Sequence, residues 1–155
     1  MEFEKVRTVG ILYDAGDEDK YKRAAFLFRY LRSKNKRVNA LGVLATAEVP
    51  NYADVNLYNN YITSKDIAWT AFPKVEFVAD FISTEFDMLI DLNFYKNETL
   101  SIIARSSLAH FKVGLNQDNE IDTYDFMLEG IKPEDMNVFL KELLKYLEII
   151  KTKEA

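Results

Sequence analysis

The chain has no cysteine, one histidine, five glycines and three prolines in 155 residues. Without cysteine there is no disulfide, thiol nucleophile or thiolate metal site. His110 as the lone imidazole excludes His-based metal clusters and weighs against a triad hydrolase, although carboxylate-only metal chemistry remains open. So few glycines make phosphate binding by bare backbone a poor fit. No Gly-x-Gly-x-x-Gly follows an apparent strand, and no Gly-Lys-Ser/Thr is present. No apolar run reaches the roughly 18 residues that a membrane helix requires, and the N-terminus has no apolar core of signal-peptide length. The expectation is a soluble, cytoplasmic protein. The formal charge of −5 argues against nucleic acid or an anionic membrane as partner.

What is present is the alternation of an α/β domain. Val6–Tyr13 reads as a strand, followed by the acidic turn 14–19 and a helix over 20–34 with Ala24, Leu27, Phe28 and Leu31 on one stripe. Further strands are expected at 37–45, 58–63, 87–93, 111–115 and 123–128, with a turn at 116–119. Helices are expected at 74–84 with Phe77, Val78 and Phe81 inward, and from an Asn97 cap to Leu108 with Leu100, Ile103, Ala104 and Leu108 buried. A last helix starts at Pro133 and carries Met136, Phe139, Leu140, Leu143, Leu144, Leu147 and Ile150. Helical crossovers between strands imply a largely parallel sheet, and Met88-Leu89-Ile90 suits a strand buried on both faces. The predicted fold is a single three-layer Rossmann-like α/β domain over residues 1–155, with five to six strands.

In such a sheet the ligand crevice lies beyond the carboxyl ends of the strands, at a topological switch point. That rule selects Asp14, Gly16 and Asp17 after the first strand, Asp66 and Trp69 after the third, and Asp91, Asn93, Lys96 and Asn97 after the fourth. If the first and fourth strands are neighbours, their two groups face each other. A receiver-type phosphoacceptor site would use residues such as Asp14, Asp91 and Lys96. The competing reading makes Asp91 and Asn97 loop and helix caps. It also makes the run Lys20, Lys22, Arg23, Arg29, Arg32, Lys34, Lys36 and Arg37 a solvated face, His110 structural, and the aromatics Tyr52, Tyr58, Tyr61, Trp69 and Phe72 packing and loop pins.

Phe86-Asp87-Met88-Leu89-Ile90-Asp91-Leu92, Ala109-His110-Phe111-Lys112-Val113-Gly114 and Tyr124-Asp125-Phe126-Met127-Leu128 resemble a family of short uncharacterised proteins from Bacteroidetes, which implies a length and fold but no activity. The strand ending Ile90-Asp91-Leu92, Ser101, Ala104 and Arg105 on the next helix, Lys112-Val113-Gly114 and the early Gly16-Asp17 are also similar to the N-terminal domain of heptosyltransferase-type GT-B glycosyltransferases. That resemblance implies Asp17 as catalytic base and the loop after Asp91 near an acceptor sugar. A chain of this length leaves no room for the family's donor-binding second domain. Two functions follow as expectations. One is a non-catalytic binding or interaction module with a protein partner or a second copy of itself. The other is a small enzyme or half-enzyme acting on a sugar or phosphate ligand through Asp17 and Asp91. A nucleotide-sensing domain is a third possibility, which the missing glycine loop weakens. No cofactor and no metal are expected.

Overall fold

The computed structural model describes residues 2–55, 58–67, 75–93, 97–115, 122–128 and 136–153. A short 3-10 turn, Phe3–Lys5, leads into strand β1, Thr8–Asp14, and helix α1, Glu18–Ser33. Then follow β2 (Arg37–Val43), β3 (Asn59–Ile62), α2 (Glu76–Ser83), β4 (Met88–Asp91), α3 (Glu98–Ser106), β5 (Lys112–Leu115), β6 (Phe126–Leu128) and α4 (Met136–Lys153). The six strands form one sheet in the order β3-β2-β1-β4-β5-β6, with every neighbouring pair parallel. The first and fourth strands are indeed adjacent.

Strand alternation assigns the two faces. Val9, Ile11 and Tyr13 of β1, with Met88 and Ile90 of β4, pack under α1 and α4 through Leu27, Phe28, Leu31, Leu140, Leu143 and Leu147. Leu12, Leu41 and Leu89 pack on the opposite face beneath α2 and α3, against Val78, Phe81, Leu100 and Ile103. Both faces are therefore covered, which is why β4 is apolar at consecutive positions.

Local chemistry sets the helix ends. Asn35 has φ 62°, the left-handed region that Asn tolerates better than most residues. Its N–H donates to the Arg32 carbonyl and that of Lys36 to the Leu31 carbonyl, closing α1 with both bonds of a Schellman motif. The structure departs from the periodicity after α3. That helix ends at Ser106, so Leu108 is exposed rather than buried. Phe77 is half-buried, not core. Lys36 leaves the expected solvated run altogether: it is buried, donates to the Phe3 carbonyl at 2.8 Å and lies over the Phe3 ring. Burial, then the Arg7 charge, holds its ammonium below the ordinary lysine value. The 116–119 turn, Pro133, and the side chains of Met136, Phe139 and Ile150 fall outside the described residues.

At the amino end of the sheet Asp87 accepts the N–H groups of Arg7 and Thr8, and its own N–H donates to the Thr8 hydroxyl. Burial alone would raise its carboxyl, but these donors outweigh burial and hold it below the ordinary value of 3.8. A carboxyl depressed in the folded state contributes stability that is complete above its unfolded value and is lost as pH falls through the folded one. Asp87→Asn should therefore flatten the loss of stability below about pH 3.8. Urea midpoints measured against pH for the two proteins check this, and parallel acid limbs would refute it.

Candidate functional site

Strand β1 has β2 on one side and β4 on the other, so the chain reverses its direction of travel across the sheet at this point. The crevice of an open α/β sheet lies outside the carboxyl ends of such a pair. The residues there are Asp14 to Asp17, and Asp91 to Asn93.

The β1–α1 turn closes on itself. Asp14 accepts the Gly16 N–H at 2.7 Å and the Lys20 ammonium at 2.8 Å. Asp17 is the N-cap of α1 and accepts the Lys20 N–H at 2.8 Å. Between them Ala15 is buried, donates its N–H to the Val43 carbonyl, and accepts the Tyr52 hydroxyl at 2.8 Å. Burial first, then the carboxylates of Asp17, Asp14 and Glu18, hold the Tyr52 phenol above its ordinary value. The Lys20 ammonium sits between the Asp14 and Asp17 carboxylates, 2.8 and 3.9 Å away. A helix N-terminus ordinarily attracts anions through its free N–H groups, and here the chain's own Asp17 carboxylate accepts one of them.

Asp91 is 2% exposed. It pairs in register with Leu12 and so projects toward α2 and α3, the face opposite to the one α1 covers. One carboxylate oxygen accepts the Asn93 N–H at 2.9 Å and the other accepts the Tyr124 hydroxyl at 2.5 Å. Tyr124 reaches it by lying flat on Gly114, where a Cβ would meet the ring at 2.7 Å. Asp91 is therefore the acceptor that ties β4 to the segment between β5 and β6. Asp14 and Asp17 converge on Lys20, whereas Asp91 is bonded to Asn93 and Tyr124.

The remaining predicted residues also have defined positions. Asn93 is buried beside Asp91. Asn97 caps α3 by accepting the Leu100 N–H at 3.0 Å. Asp66 accepts the N–H and hydroxyl of Thr63 just after β3. Lys96, Trp69 and Phe72 lie outside the described residues. His110 is exposed, with Nε2 3.5 Å from Glu85. Tyr52 and Tyr61 pin loops: the Tyr61 hydroxyl donates to the Asp54 carbonyl, and the Tyr21 hydroxyl accepts the Asp54 N–H. Buried Asn59 links the hydroxyls of Tyr13 and Tyr61. Burial raises both phenols, that of Tyr61 to about 12. Among the described residues no group of three or more His, Asp or Glu side chains has the disposition of a metal site, and no helix is long and apolar enough to cross a membrane.

Tyr124 is the participant that the sequence did not reveal. Nothing local marks it, because its role depends on β5 lying beside β4. Asp17, for its part, is expected to behave as a cap. Asp17→Ala should lose about 1 kcal/mol of stability, whereas Asp17→Asn should retain most of it. Chemical denaturation of both variants checks the pair, and an unchanged Asp17→Ala would leave the carboxylate free for another role.

The geometry defines a class first: a parallel, Rossmann-ordered α/β domain. Residues 1–150 match a family of unknown function (DUF6913), and the chain belongs to that family. The expectation of an uncharacterised family holds. No curated protein matches the chain. It is similar in fold to the crystal structure of an exopolyphosphatase-related protein from Bacteroides fragilis, with a TM-score of 0.51 and 19% identity. The match covers 82% of this chain and 36% of that one, so this chain spans little more than a third of its neighbour's length. The heptosyltransferase resemblance gains no support here, since this solved neighbour is exopolyphosphatase-related and shares the fold alone.

Proposed function

We propose that this chain is a non-catalytic binding module that keeps the Rossmann-like frame but uses its sheet edge for internal structure. The observation that carries the reading is the state of the edge carboxylates. Asp91 is buried with both oxygens bonded inside the protein, Asp17 caps α1, and Asp14 accepts the Gly16 N–H and the Lys20 ammonium. A general base must reach a substrate proton through an accessible lone pair, directly or through one water. An anionic ligand at α1 would meet the charge of Asp14 and Asp17, and Asp17 already accepts the Lys20 N–H.

A second reading is a site that acts on a phosphate or sugar ligand through Asp17 and Asp91. The fold shared with an exopolyphosphatase-related protein favours it, as does the Lys20 ammonium at the edge. One experiment separates the two. Thermal unfolding is followed with inorganic phosphate, polyphosphate, nucleotides, nucleotide-sugars and divalent metals, alongside assays of phosphate release and glycosyl transfer. A ligand at a hundred times its Kd adds about 2.7 kcal/mol, a shift of several degrees in a domain of this size. The module reading expects neither a shift nor turnover. A shift or turnover abolished by Asp17→Asn or Asp91→Asn in a folded protein would overturn it.

A further inference from the structure

Helices α1 and α4 lie side by side on one face of the sheet, and between them runs an open groove of about 490 Å³. Its walls carry Lys22, Arg23 and Arg29 from α1 and Lys141 from α4, and its floor includes Phe26 and Leu144. Phe26 is 48% exposed, a large aromatic surface left open to water in the middle of the cations. Among the described residues no carboxylate lines the groove. Lys22 has Glu18 at 3.6 Å, but Arg23, Arg29 and Lys141 have no ion-pair partner among the described residues. In a chain of net charge −5, four cations gathered around an apolar floor are a local reversal of the overall field.

From this juxtaposition we infer that the α1/α4 groove docks an acidic, amphipathic segment of a partner protein, with carboxylates against the groove cations and an aromatic or aliphatic side chain on Phe26. This rests on the module reading above and names the partner's chemistry. The size of the groove sets the scale of the occupant. Lys22 and Arg29 are seven residues apart on α1, about 10 Å of helix rise, which matches a short peptide better than a duplex or a lipid plane. The net negative charge of the domain opposes extended polyanions at long range, whereas a short acidic segment responds to the groove alone. Helix-in-groove recognition combines apolar anchors with flanking charges in this way.

The test is selection of short random peptides displayed on phage against the whole chain, depleted on an Arg23→Glu/Arg29→Glu/Lys141→Glu variant. The enriched peptide is then synthesised and titrated by fluorescence anisotropy. All three positions are solvent-accessible, so the variant should match the parent in unfolding temperature. Expected are peptides with acidic residues flanking an aromatic or aliphatic one, binding that weakens as salt is raised, and at least about tenfold weaker binding to the variant, near 1.4 kcal/mol. Phe26→Ser should weaken the same peptide without lowering stability. Several results would overturn the inference: no enrichment, enrichment without acidic bias, or equal binding to the variant. So would binding confined to anionic vesicles or a single-stranded oligonucleotide, or a groove buried by self-association. The module reading fails separately, through turnover or ligand shifts that depend on Asp17 or Asp91, and those substitutions leave the groove intact.

Discussion

Asp91→Ala is expected to be the most damaging polar substitution in this domain, with a loss on the order of 3 kcal/mol. The carboxylate is 2% exposed and accepts from the Asn93 N–H and the Tyr124 hydroxyl. Truncation leaves both donors without this acceptor, and a buried donor without a partner costs about 1–3 kcal/mol. Asp91→Asn keeps the shape and one acceptor oxygen, so its cost should be smaller. Tyr124→Phe removes one donor while keeping the ring, and should fall between the parent and Asp91→Ala. Urea unfolding of the three variants provides the ranking. If Asp91→Ala were as stable as the parent, the carboxylate would not be the structural acceptor described above, and its availability to a ligand would have to be reconsidered.

Gly114→Val should be comparably harmful for a steric reason. The Tyr124 ring rests on the bare Cα of Gly114, and an added Cβ would meet three ring atoms at 2.7–2.8 Å. Overpacking a filled core costs about 1–3 kcal/mol, and a branched side chain exceeds a single methyl. Relief requires the ring to move, which also pulls its hydroxyl from Asp91. Gly114→Val and Asp91→Ala should therefore be strongly non-additive, since each disrupts the same Tyr124 contact. A double-mutant cycle measures the coupling. Additive losses would mean that ring and hydroxyl act independently.

Both effects bear on function. The Asp91–Tyr124 bond is buried, whereas Asp14, Asp17 and Lys20 bond to one another at the surface. On the module reading proposed above, Asp91 serves the fold, and the cations between α1 and α4 serve the partner.

Much of this domain was legible in the sequence, because the signals concerned are local. A stripe such as Ala24, Leu27, Phe28 and Leu31 follows from the helical repeat, and those residues are buried where the repeat places them. Consecutive burial of Met88, Leu89 and Ile90 follows from a strand covered on both faces. Asn97 marked a helix start through a side chain that satisfies the backbone there. One error was equally local: the apolar Leu108 extended a periodic pattern beyond the point where α3 stops.

The sequence by itself determined the elements, their order along the chain, the parallel three-layer architecture and the absence of thiol chemistry, because each depends on residues close together or on composition alone. The tertiary structure decided which of the singled-out carboxylates is buried, which face each one takes, and who its partner is. Asp91 meets Tyr124 across 33 positions, and Arg23 and Arg29 face Lys141 from the other end of the chain. Such pairings are settled by strand order and helix docking, and no local periodicity encodes them.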